Sequence, residues 1–361
     1  MATLAFIAAA TAQRSHAEVL EPGPAYQDAH GVAASALVAR IGALARDNDA
    51  PGLASLVNEV LGNATLVPAA RERALYETAM ALAELDTSVD TQALLELLGR
   101  HDTAVQVWRY DDAHRTAVPL YEVAAAAHYA ARRLNERGAS ESALDAIAHG
   151  SDAPLASFES VPDASTAPAR NGILQAFETA PTQQLLAYRD RLSASAERGA
   201  AIEIAQIVAR RLGDAMLMQT VLEYADEKTA LDIVRTARAS FTESEALELL
   251  KRAAAREDVG SAALLAAGPM ATTDPSARIW LFDMLGDAQR AGSAAAAIAA
   301  LHDPEIAARL HAWVGEQSNT RVARRGILAL RLDDSESART QLAEIASDPS
   351  VAAELRDEAL R

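Results

Sequence analysis

Apolar residues recur every three or four positions along nearly the whole chain, which is the spacing of an amphipathic α-helix. From Pro68 to Leu85 they follow this spacing, and charged residues such as Glu72 and Glu84 fill the other faces. Pro68 suits the first turn of a helix, where its missing N–H costs nothing. No window shows sustained alternation of β-branched and aromatic residues, so strands are not expected. The pattern predicts an all-α protein.

Polar and small residues mark where several of these helices should begin and end. A helix is predicted over about 118–137 and is closed by Gly138, while Ser140 is predicted to cap a separate short helix. Residues 151–167 are rich in Ser, Asp and Pro, and they predict at most one short helical turn.

The helix starts near the C-terminus are evenly spaced. Asp274-Pro275, Asp303-Pro304 and Asp334-Ser335 each open a predicted helix, and they recur with a period of about 30 residues. The Asp accepts hydrogen bonds from the first turn, and the Pro occupies the first helical position. The last helix is predicted to begin at Asp348-Pro349. Short helices repeated in this way bury their apolar sides by stacking as hairpins.

A second repeated pattern concerns glycine and alanine. The pattern Ala-Arg-x-Gly-Ile-Leu occurs at 169–174 and again at 323–328. We expect Gly172 and Gly326 to face a neighbouring helix that approaches closely. Alanine accounts for 86 of the 361 residues, which fits close helix packing because alanine is small and has the best helix propensity.

Residues 320–328 and 348–355 resemble the second helix of HEAT-type repeats, in which an Asp-Pro-x-Val turn leads into a helix of small and aliphatic residues. The resemblance is clearest over 274–361. It implies a right-handed α-solenoid of stacked antiparallel helical hairpins, which we expect to form one elongated domain over 24–361. Such solenoids expose a long continuous surface, so the resemblance also implies binding of a protein or peptide partner.

Charge and composition exclude several classes of function. The chain has 50 acidic and 33 basic residues, a formal charge of -17, which repels nucleic acid and anionic lipid and favours a basic partner. The absence of cysteine excludes disulfides, cysteine-ligated metals and thiol nucleophiles. The motifs of hydrolases, nucleotide-binding proteins and kinases are absent, as are those of zinc and calcium sites. We therefore predict no catalytic residue, no cofactor and no metal.

The N-terminus carries a candidate targeting signal over residues 1–17. An uncharged apolar run over 2–12 precedes Ser15-His16-Ala17, which has small residues at the two positions that signal peptidase recognises. Ala10-Thr11-Ala12 offers an earlier cleavage site, after Ala12. The run is shorter than the roughly 20 residues that span a bilayer. We interpret it as a signal peptide for export to the periplasm or outside. The alternative is a cytoplasmic protein whose first helix begins here.

One segment, Gly99 to Val118, lacks the helical spacing of apolar residues and forms a polar connection with aromatic residues. Long connections often carry function, and Trp, Tyr and Arg anchor many interfaces. In the alternative interpretation, its aromatic residues fill the gap left by an irregular turn, while Arg109 and Asp111 pair locally. The candidate partner-binding residues in and just after this segment are Trp108, Arg109, Tyr110, Asp111, His114 and Tyr121.

Three functions are consistent with the sequence. The first is a non-catalytic α-solenoid scaffold or adaptor that binds a protein or peptide on its concave or rim surface. The second is a HEAT-like enzyme, lyase-like, with a pocket near residues 108–122. The third is a structural component of an envelope assembly that stacks through the ends of the solenoid.

Overall fold

A computed structural model describes residues 17–111, 114–159 and 167–361 of the chain. These residues are mostly helical, which confirms the all-α class. The predicted signal peptide lies outside the described residues, except for Ala17. No helix in the described ranges is both long and apolar enough to cross a membrane.

The helices and strands follow one another in short elements. The first helices are α1 Pro22–Ala29, α2 Val32–Arg46, α3 Ala50–Gly62, α4 Pro68–Leu82, α5 Val89–Gly99, α6 Val123–Ala148, α7 Ala153–Glu159 and α8 Ala167–Thr179. They are followed by α9 Thr182–Leu185, α10 Arg189–Ala196, α11 Ile202–Leu212, α12 Ala215–Tyr224, α13 Glu227–Ser240, α14 Glu243–Ala255, α15 Gly260–Ala267, α16 Pro275–Met284, α17 Ala291–Ala299, α18 Pro304–Glu316, α19 Thr320–Leu332, α20 Glu336–Ser347 and α21 Ala353–Ala359. The strands are β1 Glu18–Leu20, β2 Val105–Asp111 and β3 His114–Pro119, and 3₁₀ turns cover Leu186–Tyr188 and Gly268–Thr272.

The chain divides into two compact units. The first comprises Met1–Ala143 and Val161–Ile173, and the second comprises Leu144–Ser160 and Leu174–Arg361. In the second unit, the helices from α10 onward contact the next helix or the next but one along the chain. The single elongated domain, the right-handed solenoid and the HEAT-type family stay predictions.

Three of the four helix starts predicted near the C-terminus are confirmed, although the third helix is capped by Ser335 and not by Asp334. The side chains of Asp274 and Asp303 accept hydrogen bonds from the first turns of α16 and α18, and Ser335 does the same for α20. The predicted start at Asp348 is wrong, because α21 begins only at Ala353. Asp348 accepts a bond from the Ser350 backbone N–H, as Asp274 and Asp303 do from the residue two positions after them, and a further bond from the Ser350 hydroxyl.

The helix predicted to stop at Gly138 continues without a break, so the separate helix capped by Ser140 is also wrong. Helix α6 runs through both residues to Ala148. The backbone of α6 at Glu136 and Ser140 is covered by Gly172 of α8. Packing of this kind overrides weak local stop signals.

The prediction that strands are absent is wrong, since a three-stranded sheet interrupts the helices of the first unit. Strand β1 pairs parallel to β2, with Glu18 opposite Val105, and β3 pairs antiparallel to β2. Only Val105 and Val107 alternate as buried positions on β2, which is too short a pattern to mark a strand. Their partner β1 lies far away in the sequence.

The predicted close approach at the two motif glycines is confirmed. A methyl group on Gly172 would overlap the carbonyl oxygen of Glu136 and lie 2.9 Å from the backbone nitrogen of Ser140. A methyl group on Gly326 would lie 2.6 Å from Val314 Cγ2. Both positions require a residue without a side chain because a neighbouring helix occupies the space.

Arginine side chains of the second unit tie the ends of helices together. Arg211 donates to the carbonyl oxygens of Phe177 and Ala180, which lie 34 and 31 residues before it in the chain. Arg256 donates to Leu222 and Ala225 with the same two separations. The carbonyl groups at the end of a helix lack partners within it, so these bonds satisfy them and repeat one packing device along the unit.

Replacing Arg256 with glutamine should therefore lower the free energy of unfolding by about 2 kcal/mol, because charged hydrogen bonds to two helix-end carbonyls are lost. The measurement is urea denaturation followed by far-UV circular dichroism. Arg235→Gln is the control, since this arginine is exposed in the middle of α13. An equal effect of both substitutions would contradict the assignment.

Candidate functional site

The predicted aromatic connection is a regular hairpin rather than an irregular turn. Trp108 and Tyr110 project from one face of β2, and Arg115 stands opposite Tyr110 on β3. The Arg115 guanidinium carbon lies 3.9 Å from the centroid of the Trp108 ring and 5.5 Å from that of Tyr110. Its Nη2 is 2.7 Å from Glu21 Oε1, and the Tyr110 hydroxyl donates to Glu21 Oε2 at 3.2 Å. The hairpin thus holds an arginine between aromatic rings and a carboxylate.

The other predicted residues of the hairpin do not join this group. Arg109 and Asp111 alternate onto the opposite face of β2, where both are exposed, and His114 is exposed where β3 begins. Arg115 of the hairpin forms an ion pair with Glu21. The alternative interpretation expected Arg109 to pair with Asp111, but no such ion pair is found among the described residues. Asp112, which precedes β3, lies outside the described residues.

Tyr121, the last of the predicted residues, lies in a different place. It lines an open cleft of about 600 Å³ in the first unit, which we call the tyrosine cleft. Its other aromatic residues come from three helices and are Tyr26, Tyr76 and Tyr129. The remaining lining residues are Met80, Leu120, Glu122, Ala125 and Ala126.

Helix geometry explains how these side chains come together. Glu122, Ala125, Ala126 and Tyr129 are spaced so that they share one face at the start of α6. The side chains of the two alanines are small, so this face of α6 leaves room for the cleft. Tyr76 and Met80 are one turn apart on α4 and form another wall.

The tyrosines differ in how far they are buried. Tyr121 is half-buried, its ring centroid lies 5.4 Å from that of Tyr76, and burial raises the pKa of its phenol above the ordinary value. Tyr26 and Tyr129 are 50% and 43% exposed. The cleft therefore has a packed floor and an exposed aromatic rim, which suits it to bind another molecule.

Tyr26, Tyr76 and Tyr129 were not identified from the sequence. The chain has only seven tyrosines, and four of them line this one cleft, a concentration that only the structure reveals. The sequence alone does not show that α1, α4 and α6 meet, so the four positions looked unrelated.

A buried carboxylate fastens the hairpin to α4. Glu72, expected on a polar face, is fully buried, and its Oε1 accepts a hydrogen bond from the backbone N–H of Ala104, just before β2. His101 Nε2 lies 3.5 Å from the same oxygen. Glu72 Oε2 has no hydrogen-bond partner among the described residues. This arrangement anchors the start of β2 to α4.

A second polar cluster lies in the second unit. His302, Asp333 and Asp334 each place one ligand-type atom within 4.8 Å of the others. His302 Nδ1 is 2.9 Å from Asp333 Oδ1, and this hydrogen bond raises the pKa of the imidazole. Asp333 also accepts from the Ser335 backbone N–H. These bonds link the turns after α17 and α19.

The chain matches no protein-family model, no curated protein and no solved structure.

Proposed function

We propose that this protein is a non-catalytic helical-repeat adaptor that binds a protein or peptide partner, and that the tyrosine cleft is the centre of its binding surface. The observation that carries the proposal is the convergence of Tyr26, Tyr76, Tyr121 and Tyr129 on one open cleft. Tyrosine is enriched among the residues that contribute most binding energy at interfaces. It offers a large rigid ring and a polar hydroxyl at low entropic cost.

The packing of the second unit supports the same proposal. Helices that contact their near neighbours along the chain are typical of repeat proteins, which commonly serve as binding scaffolds. We propose on this basis that the HEAT-like resemblance reflects a shared architecture. The acidic charge of the chain favours a basic partner.

The two alternatives have less support. An enzyme needs its reactive groups to converge on one site, whereas Trp108 and Arg109 project from opposite faces of β2, and Tyr121 lies in the cleft. A stacking envelope component would show an apparent molar mass, measured by light scattering, that rises with protein concentration. Export remains part of the proposal, and sequencing of the mature N-terminus tests it: a start at Gln13 or Glu18 supports export, and an intact Met1 or Ala2 opposes it.

The proposal is tested by selecting displayed random peptides on the immobilised full chain and measuring the affinity of the strongest peptide by titration calorimetry. The double variant Tyr26→Ala/Tyr129→Ala should weaken binding at least 10-fold with little change in Tm, because both residues are about half exposed at the rim. Tyr224→Ala is the matched control, since Tyr224 is 45% exposed on α12 of the second unit.

Two results would overturn the proposal. One is a selection that enriches no peptide above background. The other is an enriched peptide whose affinity is the same for the double variant and the wild-type chain. Titration of the Trp108→Ala variant with the same peptide tests whether the hairpin is part of the binding surface.

A further inference from the structure

We propose that the tyrosine cleft binds a cationic side chain, lysine or arginine, of the partner segment. The cation would lie against the tyrosine faces and pair with Glu122. The inference rests on the proposed function above and names the chemistry that the cleft recognises.

The first support is the charge of the lining. Among the nine described residues that line the cleft, Glu122 is the one charged side chain, and it is exposed. Arg73 lies close enough to influence the phenol of Tyr121. Its guanidinium, however, donates to the carbonyl oxygen of Ala29 and lies 3.8 Å from Glu77. The lining therefore has an unbalanced negative charge beside several aromatic faces.

The second support is an arrangement of the same kind in the same unit. On the hairpin, Arg115 lies over Trp108, is close to Tyr110 and pairs with Glu21. A ring face attracts a cation because its quadrupole is negative there, and the attraction grows when water is excluded. The tyrosine cleft supplies rings and a carboxylate in similar combination, but its lining contains no lysine or arginine.

The partial positive charge at the N-terminus of α6 disfavours a bound cation. The N-terminus of a helix carries about half a positive charge. Helix α6 begins at Val123, directly after Glu122. The full negative charge of that carboxylate outweighs the helix terminus at close range, so the local field still favours a cation.

The occupant is part of a peptide rather than a free small cation. A cleft of about 600 Å³ is larger than one lysine or arginine side chain and has an open rim. The rim tyrosines Tyr26 and Tyr129 can contact residues on either side of the cation. The net charge of -17 also speeds the approach of a basic segment.

The test uses the strongest peptide from the selection described above, with the full chain and titration calorimetry. Each arginine of that peptide is replaced by citrulline and each lysine by 6-hydroxynorleucine, which remove the charge with little change of shape. We expect at least a 10-fold loss of affinity for one such replacement. Glu122→Gln should weaken binding of the unmodified peptide about 5-fold, and Glu223→Gln, an exposed acid beside Tyr224, should leave it unchanged.

The outcomes separate this inference from the proposed function. If the selected peptide binds the cleft but has no lysine or arginine, or if neutral replacements leave its affinity unchanged, the cationic assignment is wrong while peptide binding stands. If methylguanidinium alone binds as tightly as the peptide, the occupant is a small cation and the peptide source is wrong. If no peptide depends on the cleft tyrosines, both proposals fail.

Discussion

Replacing Gly172 with alanine should lower the free energy of unfolding of the first unit by about 3 kcal/mol, at the upper end of the usual cost of overpacking. The added methyl group would overlap the carbonyl oxygen of Glu136 and crowd the Ala139 methyl at 2.8 Å. Backbone atoms inside a continuous helix cannot move aside cheaply, so α8 has to shift away from α6. Helix propensity alone would give the opposite sign, since alanine is favoured over glycine by about 1 kcal/mol.

Trp108 provides a direct readout for this substitution because it belongs to the first unit. Trp280→Phe and Trp313→Phe leave it as the single tryptophan, so its fluorescence during urea denaturation follows that unit. Gly42→Ala is the control, because Gly42 lies within α2 and has no atom near the added methyl position. We expect the control to stabilise the unit slightly. A Gly172→Ala variant as stable as the wild-type chain would contradict the close packing of α8 on α6.

Replacing Glu72 with alanine should loosen the hairpin and destabilise the first unit by about 3 kcal/mol, since a charged hydrogen bond in a buried site is lost and the Ala104 N–H loses its acceptor. Glu72→Gln keeps an oxygen that can accept that bond, so its loss should be smaller, about 1 kcal/mol. The hairpin strands β2 and β3 should then exchange their amide hydrogens faster in the alanine variant than in the glutamine variant.

Hydrogen exchange followed by mass spectrometry measures this order directly. Glu84→Ala is the control, because Glu84 is exposed just after α4. It should leave the protection of residues 105–119 unchanged. Equal protection of the hairpin in the wild-type chain and in Glu72→Ala would show that the buried carboxylate does not hold the sheet.

Local chemistry allowed much of the helical fold to be predicted. The caps at Asp274 and Asp303 depend on residues a few positions apart, and the structure has them as expected. The close approach at Gly172 and Gly326 followed from a short repeated pattern. Features that depend on distant partners were missed. Strand β1 pairs with β2 across more than eighty residues, and no local pattern specifies such a pairing.

The candidate site also contains residues that could be predicted from the local sequence and residues that could not. The hairpin residues were found because Trp, Tyr and Arg cluster in one short segment. Tyr121 was found with them, although it belongs to a different surface. The cleft is formed by α1, α4 and α6, whose meeting is fixed by tertiary packing. Glu72 was placed on a polar face because its charge suggested exposure, yet it is buried beneath the hairpin.

The most direct test of the central claim is an NMR titration of the full chain, labelled on its tyrosine rings, with the selected peptide. The seven tyrosine signals can be assigned by single Tyr→Phe variants. Tyr26, Tyr76, Tyr121 and Tyr129 should shift together with one dissociation constant, while Tyr188 and Tyr224 of the second unit stay unchanged. A peptide that binds while the four cleft signals remain in place would contradict the account.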